Sequence, residues 1–417
     1  MLKKFTGNLS QKEKSLKELY KLIFENGSVS KGDLIKLTGM RQTTCTRLID
    51  ELLVSGLIKE CGYGESSGGR KPLMYEINKN INYVIGIDIS RTYTKILLMD
   101  LSFSIIAQAK FKMNETTTPD VTIDLIISHI NKMMKLYQLT KDDILGIGIG
   151  TIGPLNREKG IIINPNNFPS DGWENIKICE RLNDVLQLHT ILEYGANTAL
   201  LAEYSQEPFN QFRNVIHVIK GTGTRTGIIM DGRLVLGTDK LSSLGQGHMI
   251  VDLYGRKCSC GSNGCINAYS SISAMKNDII DAIQQGAPSL ITNKVSNIED
   301  IDFNDICQAV NDGDPLSTRI VQNAAYYTGV GLANLAQVLF PDLIILSGPT
   351  YTNMELFYDV VTSTASKRCE KMYSNQRIIF SRGQLGENAT AIGAGRIVLE
   401  HFLADSASNG TLNKLYI

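Results

Sequence analysis

Residues 247–265 read GHMIVDLYGRKCSCGSNGC, a short stretch that contains four metal-binding side chains. These are one histidine and three cysteines, His248, Cys258, Cys260 and Cys265. Neutral imidazole and thiolate are ligands that zinc prefers, and four of them complete a closed tetrahedral site. Gly255, Gly261 and Gly264 allow so short a loop to fold around one ion. The stretch therefore predicts one structural zinc ion per chain.

Two alternatives to a metal site stay open for these residues. The cysteines could be ordinary buried residues with an unrelated histidine nearby, although C-x-C-G-x-x-G-C is far more specific than a single C-x-x-C pair. They could also form disulfides, but Cys258 and Cys260 are too close in sequence to pair comfortably. We also recognise no secretory signal in MLKKFTGNLSQKEKSLK.

The composition is that of a globular protein with two or three domains. The chain has 417 residues, of which 43% are hydrophobic and 20% charged. Because we find no uninterrupted apolar run long enough to cross a bilayer, we expect a cytoplasmic protein without a membrane partner. Five further cysteines are scattered along the chain, which favours a reducing compartment.

The charge is unevenly distributed. Residues 1–80 contain 14 Lys or Arg against 9 Asp or Glu, and the remainder contains 28 against 33, so the whole chain is neutral. A basic amino-terminal module on a mildly acidic body is the pattern expected when one end binds nucleic acid. An excess this small can also arise by chance, so charge alone does not decide the matter.

Three helices are predicted in the amino-terminal module. The first starts at Gln11 and stops at Asn26-Gly27 because LKELYKLIFENG places its apolar residues on one face. Ser30 is a suitable cap for a second helix, SKGDLIKLTG, which Gly39 ends. The third, RQTTCTRLIDELLVSG, follows at once. Two helices joined by a tight glycine turn match the helix-turn-helix plan.

The third helix and the segment after it predict a DNA-binding surface. The helix exposes Arg41, Gln42, Thr43, Thr44 and Arg47, of which the last four are the candidates for reading base edges. Next, GLIKECGYGESSGGRKPLMYEIN reads as two short strands joined by a wing tip. There Arg70 could enter a minor groove and Lys71 could contact phosphate. The alternative is a small helical domain that packs against a partner protein.

From Asn82 onward the pattern alternates between apolar strands and helices. YVIGIDIS and TKILLMDL predict a hairpin, SFSIIAQAKFKM a third strand, VTIDLIISHINKMMKLYQL a helix and ILGIGIGTIGPL a buried strand. RNVIHVIKGTGTRTGIIMDGRLVLG repeats the theme of strand, glycine turn and strand. This repetition predicts a duplicated fold with mixed sheets flanked by helices.

The chain contains, in this order, GIDISRTYTK, GIGIGTIGPL, LEYGANTALLAE, KGTGTRTGIIMDG, the histidine-cysteine loop, PDLIILSGP and GENATAIGAGRIVLE. These segments and their order resemble those of the ROK family of repressors and sugar kinases. The resemblance covers essentially the whole chain. With the winged module in front, it points to the repressor branch that includes xylose and N-acetylglucosamine repressors. The resemblance implies an α/β class, in which a winged helix-turn-helix precedes a two-lobed body that is actin-like or hexokinase-like (ribonuclease H-like).

The predicted domains follow from this resemblance. Residues 1–80 form the winged module, and residues 81–200 form the first lobe with part of the C-terminal helix, at about 385–405. Residues 201–400 form the second lobe with the zinc loop 248–265, and residues 405–417 are a tail.

Where family kinases carry a DxGGTK phosphate loop, this chain reads DISRTYTK, with Ser90 and Arg91 at the glycine positions. Bulky side chains there obstruct the close approach of phosphate. A second loop, residues 221–227, keeps some glycines but contains Arg225. The family's catalytic aspartate, in E-N-D-A-N, corresponds to Gly195, and glycine cannot accept a proton. We therefore predict no catalytic residue, and we do not expect Glu193 to substitute as the base.

The resemblance also locates an effector cleft in which most sugar-facing acids are replaced. Gly245 and Asn267 stand where the family has glutamates, and Tyr194 stands where it has asparagine. The candidate effector contacts are Tyr194, Asn197, His248 and Asn267. Tyr194 and Asn267 are either remodelled sugar contacts or packing residues, and the sequence leaves both open.

These observations predict a transcriptional repressor of carbohydrate-related genes. Its partners are a double-stranded DNA operator and a sugar or sugar-derivative effector, and it acts as a homodimer or a dimer of dimers. The alternative from another class is a ROK sugar kinase fused to a DNA-binding module. A second alternative is a partner-binding protein with a vestigial winged fold.

Overall fold

The structure is a computed structural model that describes residues 2–65, 71–165, 168–236, 245–372 and 377–404. These residues form two compact units. The first contains the described residues up to Thr198 and those from Ala391 onward, and the second contains Ala199–Thr390. The first unit thus includes both the predicted amino-terminal module and most of the predicted first lobe.

The amino-terminal module contains the three helices that the sequence predicts: α1 (Gln11–Asn26), α2 (Lys31–Thr38) and α3 (Gln42–Val54). Ser30 caps α2, because its hydroxyl accepts the Asp33 N–H at 3.2 Å and donates to the Asp33 carboxylate at 2.6 Å. Gly39 ends α2 in the left-handed conformation. The predicted stops at Gly27 and Gly39 are confirmed.

Three short strands complete this module, namely β1 (Ser28–Ser30), β2 (Ile58–Tyr63) and β3 (Leu73–Ile77). Their order in the antiparallel sheet is β1-β3-β2. The strands β2 and β3 confirm the two predicted strand segments on either side of the wing tip. The strand β1 was not predicted, because three residues are too few to show a period and the last of them also caps α2.

The body within the first unit is built on a five-stranded sheet in the order β10-β7-β4-β5-β6. Its strands and the two-stranded ribbon beside it are β4 (Tyr83–Ile89), β5 (Tyr93–Asp100), β6 (Ile105–Lys112), β7 (Ile144–Thr151), β8 (Leu155–Asn156), β9 (Ile161–Ile162) and β10 (Thr190–Tyr194). The accompanying helices are α4 (Pro119–Leu136), α5 (Ile178–Leu186) and α6 (Gly195–Tyr204), the last of which continues into the second unit.

The second unit contains another five-stranded sheet, in the order β13-β12-β11-β14-β15. Its strands are β11 (Val215–Lys220), β12 (Thr224–Met230), β13 (Arg233–Leu234), β14 (Leu343–Ser347) and β15 (Ile379–Ser381). Its helices are α7 (Ile266–Ser270), α8 (Ile272–Gln284), α9 (Phe303–Asn311), α10 (Pro315–Leu339), α11 (Pro349–Asn353) and α12 (Glu355–Met372). A buried core includes Ile216 and Val218 of β11 together with apolar residues of α8, α10 and α12.

The two sheets share a pattern of strand directions. In the first, β4 pairs antiparallel with β5 and parallel with β7. In the second, β11 pairs antiparallel with β12 and parallel with β14. The predicted repetition of strand, turn and strand is therefore confirmed.

The last described helix, α13 (Ala389–Leu403), belongs to the first unit from Ala391 onward. It packs with its backbone against two central strands of that unit. A Cβ on Gly86 would lie 1.8 Å from the carbonyl oxygen of Ala391, and one on Gly148 would lie 1.6 Å from that of Ala394. Only glycine at both positions allows this approach, so α13 is fixed directly on β4 and β7.

Among the helices in the described ranges, none combines the length and apolarity needed to cross a bilayer.

Candidate functional site

The four predicted metal ligands meet at one point in the second unit. The ligand atoms of His248, Cys258, Cys260 and Cys265 all lie within 4.8 Å of one another. The Nδ1 atom of His248 is 3.6 Å from the Cys258 sulfur, and the Cys260 and Cys265 sulfurs are 3.7 Å apart. All three thiols are free. The cluster is therefore neither a disulfide, whose sulfurs would be about 2.05 Å apart, nor a group of unrelated cysteines.

These separations fit a single tetrahedral ion. Bond lengths of about 2.3 Å to sulfur and about 2.0–2.1 Å to nitrogen imply ligand separations of about 3.8 Å between sulfurs and about 3.6 Å between sulfur and nitrogen. The observed separations of 3.7 and 3.6 Å agree with these values. Burial, followed by the neighbouring thiols, raises the pKa of the Cys265 thiol to about 12. The cluster thus has the donor set and the geometry to bind a metal ion.

Glycines and backbone hydrogen bonds shape the loop around these sulfurs. Gly261 and Gly264 have φ of +90° and +70°, a region that favours glycine. A Cβ on Gly264 would also lie 1.6 Å from the backbone oxygen of Asp252. The Cys258 N–H donates to the Ser262 carbonyl at 2.8 Å and the Gly264 N–H to the Arg256 carbonyl at 2.8 Å. This backbone path requires positive φ at Gly261 and Gly264, which explains why the sequence has glycine at both positions.

A polar network connects residues 248–265, which we call the metal loop, to the neighbouring helices. The Tyr269 hydroxyl, on α7, donates to the Asp252 carboxylate at 2.8 Å and accepts the Arg256 N–H at 2.9 Å. The Arg256 guanidinium donates to both carboxylate oxygens of Asp278, on α8, at 2.8 Å. The Tyr269 ring stacks on Tyr327 of α10 with centroids 4.0 Å apart. The loop is thereby coupled to three helices of the second unit.

The predicted DNA-reading residues lie on one exposed surface. The side chains of Arg41, Gln42, Thr43, Thr44 and Arg47 are exposed at the start of α3. The opposite side of the same helix is buried in the module and comprises Cys45, Leu48, Ile49 and Leu52. Lys71 is exposed just before β3, while Arg70 lies outside the described residues. We name these five exposed residues, Arg41 at the N-cap and the four on α3, the reading face.

The turn between β4 and β5 differs from a phosphate-binding loop. The Ser90 side chain closes this turn, because its hydroxyl donates to the Tyr93 carbonyl at 2.8 Å and accepts the Thr92 and Tyr93 N–H groups at 3.4 and 3.1 Å. Backbone amides are the groups with which a glycine-rich loop binds phosphate. Here two of them are used within the turn.

Gly195, the residue predicted to stand at the position of a catalytic aspartate, is the first residue of α6. Its neighbour Glu193 is almost completely buried and pairs with Arg157 at 3.1 Å. The other oxygen of Glu193 accepts hydrogen bonds from the Tyr194 N–H at 2.7 Å and from the Asn197 amide at 3.1 Å. Each carboxylate oxygen of Glu193 therefore has a structural role. Sequence reasoning did not identify Arg157 as its partner.

The candidate effector residues lie in both units. Tyr194 and Asn197 are buried in the first unit, where Glu193 orients the Asn197 amide. In the second unit, the Asn267 oxygen accepts from the Thr224 hydroxyl at 3.2 Å, and Asn267 packs against Gly247, beside His248. His248 turns Nδ1 toward Cys258, which leaves Nε2 as the ring nitrogen for another contact.

Lys220, at the end of β11, is a buried cation that sequence reasoning missed. Its ammonium group donates to the Ser270 hydroxyl at 3.0 Å and the Thr224 hydroxyl at 3.3 Å. Burial lowers its pKa to about 7. A signal was present, since Lys220 follows Ile216 and Val218 in the inward phase of the strand alternation. It lies directly before the second glycine loop.

The neighbouring strand residue His217 is also buried, and its Nε2 lies 2.7 Å from the Ser347 hydroxyl. Burial, followed by the charge of Arg225, lowers the pKa of His217 to about 3, so the imidazole is neutral. Arg225 thus acts electrostatically on the interior of the sheet.

Comparison with known sequences identifies related proteins over nearly the whole chain. The sequence model of the ROK family matches residues 84–401. The xylose repressor of Bacillus subtilis (strain 168) is 28% identical over 392 residues, which cover 94% of this chain and 96% of that protein. The N-acetylglucosamine repressor of Escherichia coli O157:H7 is 23% identical over 381 residues, 91% of each protein.

Solved structures show the same fold. A ROK family transcriptional regulator, a homologue of the E. coli MLC protein, aligns with a TM-score of 0.76 at 24% identity and covers 94% of this chain and 96% of its own. A ROK family glucokinase from Streptomyces griseus, in complex with glucose and AMPPNP, aligns with a TM-score of 0.65 at 24% identity. It covers 76% of this chain and 99% of its own. The predicted fold class of the body is confirmed.

The buried position of Lys220 generates a stability prediction. We expect Lys220→Met to raise the free energy of unfolding at pH 6 by about 1–4 kcal/mol, because it replaces a desolvated charge with an apolar chain of similar length. The gain should shrink between pH 7 and pH 10. In that range the native protein has lost the proton, given a pKa of about 7, while the unfolded chain keeps it up to about pH 10.4.

Urea unfolding at pH 6, 7.5 and 9 measures this effect, with the exposed Lys367→Met on α12 as the matched control. An equal effect of Lys220→Met at all three pH values, or a loss of stability at pH 6, would contradict the assignment of a destabilising buried charge.

Proposed function

Because this chain belongs to the ROK family, we propose that it is a DNA-binding transcriptional repressor of carbohydrate-related genes. The observation that carries the proposal is the reading face on α3. Its polar and basic side chains are exposed on the second helix of a helix-turn-helix, while its apolar side chains are buried in the module. Such a helix can enter a major groove without disturbing the fold of its own module.

The share of this chain that each relative matches supports the same function. The xylose and N-acetylglucosamine repressors match more than nine tenths of this chain. The glucokinase leaves about a quarter of it uncovered, and the family match begins only at residue 84. The part that distinguishes this chain from the glucokinase therefore corresponds in size to the module with the reading face.

The protein acts as a homodimer, or a dimer of dimers, on an operator with two half-sites. One module offers a single reading helix, and two helices about one DNA turn apart supply the specificity that one lacks. Gln42, Thr43, Thr44 and Arg47 of the reading face contact base edges, whereas Arg70 and Lys71 position the wing in the minor groove and on the DNA backbone.

The effector is a sugar or sugar derivative, and its contacts are Tyr194, Asn197, His248 and Asn267. Replacement of the family's acidic contacts changes which hydroxyl groups can be bound, because each lost carboxylate removes a strong acceptor. The remaining amides are held in place by Glu193 and Thr224. The effector acts by binding one arrangement of the body better than another.

Arg47 provides the test of DNA binding. Genomic-fragment selection with the full-length protein supplies the operator, and Arg47→Ala should then weaken operator binding by about 1–3 kcal/mol and relax sequence preference. Fluorescence anisotropy across a salt series measures it, with Lys14→Ala, an exposed change on α1, as the control. If no fragment binds in a salt-sensitive manner, the repressor proposal fails.

The metal at the histidine-cysteine cluster is zinc, one ion per chain, with a structural role. We expect about one equivalent by elemental analysis. Cys258→Ser should lose the ion and lower the melting temperature, because the remaining ligands cannot close the site. Cys61→Ser is the matched control, since Cys61 is exposed on β2 and outside the cluster. Full stability of the metal-free native protein would contradict a structural role.

The protein does not transfer phosphate to sugars. Gly195 offers no base, Glu193 is bound by Arg157 and Asn197, and the first phosphate turn is closed by Ser90. A coupled assay with ATP and a panel of hexoses and pentoses should give no turnover above a heat-inactivated control. Turnover above that control would overturn this part of the proposal and revive the kinase alternative, and its loss in Glu193→Gln would identify Glu193 as the base.

A further inference from the structure

We propose that the carboxyl-terminal half of α13 holds the amino-terminal module in one orientation on the body, and so sets the half-site spacing that a dimer accepts. Two separate contacts within the first unit hold the module on α13, and we call them together the joint. One is formed by Lys17 and the end of α13, and the other by Phe24, Arg396 and Phe103. The inference rests on the proposed DNA-binding function.

The first contact is a buried cation at a helix end. Lys17, on α1, is nearly inaccessible to solvent, and its ammonium group donates to the carbonyl oxygens of Phe5, at 2.7 Å, and Ala404. Ala404 directly follows the last residue of α13. The carboxyl end of a helix carries unpaired carbonyl groups and partial negative charge, which a lysine ammonium satisfies. The module therefore supplies the cap of a body helix.

The second contact is a cation that lies against two aromatic rings. The guanidinium of Arg396, on α13, lies 5.3 Å from the ring centroid of Phe24 and 5.6 Å from that of Phe103. The two rings meet edge to face with centroids 6.2 Å apart. Glu400 orients the guanidinium through a 2.7 Å bond to Nε. Phe24 comes from the module, whereas Arg396 and Phe103 come from the body.

Phe103 is held in an unusual backbone conformation that supports a specific role. Its φ is +62°, in the left-handed region that bulky side chains rarely adopt. The Asp100 carboxylate maintains the turn by accepting the N–H groups of Ser102 and Ser104 at 2.9 and 3.0 Å. Strained residues persist where the surroundings enforce them. In this turn the enforced conformation accompanies the contact of the Phe103 ring with the module.

The helix that bears Arg396 packs closely on the sheet of the first unit. Its Ala391 and Ala394 carbonyls lie against Gly86 and Gly148, where a side chain would collide with them. A module docked at two points on such a helix has a fixed direction. Since a dimer must place two reading helices at a fixed separation, that direction determines which operators fit.

The joint can be tested on full-length protein without knowledge of the effector. The variants are Lys17→Met, Phe24→Ala and Arg396→Met, of which the last lies outside the module and leaves its core intact. Lys14→Met removes the same charge from the exposed side of α1 and is the control. The probes are the selected operator, the same operator with about two base pairs inserted or deleted between half-sites, and a single half-site.

We expect the native protein and the control to lose about tenfold or more in affinity when the spacing changes, and the variants to lose less than about threefold. Affinity for the single half-site should stay within about twofold of native. The proposal would be wrong if the variants discriminated between spacings as strongly as the native protein does. It would also be wrong if the native protein bound all spacings equally well. Loss of single half-site affinity in Arg396→Met would also overturn it. If the native protein bound no DNA at all, the proposed function itself would fail.

Discussion

The direct packing of α13 on glycine is the constraint on which the first unit depends. The helix can approach β4 and β7 so closely only because Gly86 and Gly148 lack side chains. That approach fixes where the first turns of α13 lie on the sheet. The position of Arg396, and of the carbonyl that Lys17 caps, follows from it.

The metal loop constrains the second unit as α13 constrains the first, but through clustered side chains and not through close backbone packing. Its path brings three sulfurs and one imidazole to a common centre, and its glycines tolerate the turns that this path requires. The Tyr269 and Arg256 network then transmits this fixed shape to α7, α8 and α10.

Local sequence signals were sufficient for the features that depend on neighbours in the chain. Ser30 and Gly39 mark the ends of α2 because capping and left-handed geometry act over three or four residues. The metal cluster was predictable for the same reason, since its spacing lies within one loop. The pairing of Arg157 with Glu193, and of Lys17 with the end of α13, was not, because those partners meet only through the tertiary fold. Lys220 is an intermediate case. Its burial was predictable from the alternation of inward and outward residues in β11, but its hydroxyl partners belong to β12 and α7 and were not.

The bond between Lys17 and the end of α13 spans 387 residues, almost the full length of the chain. Contacts of such high sequence separation form late, because the loop that they close must first be ordered. During synthesis the module leaves the ribosome first, but its contacts with α13 can form only when that helix has emerged. On the proposed joint, a nascent chain that has not yet formed α13 would carry α3 without a fixed direction, and full discrimination among operators would begin only once α13 is in place.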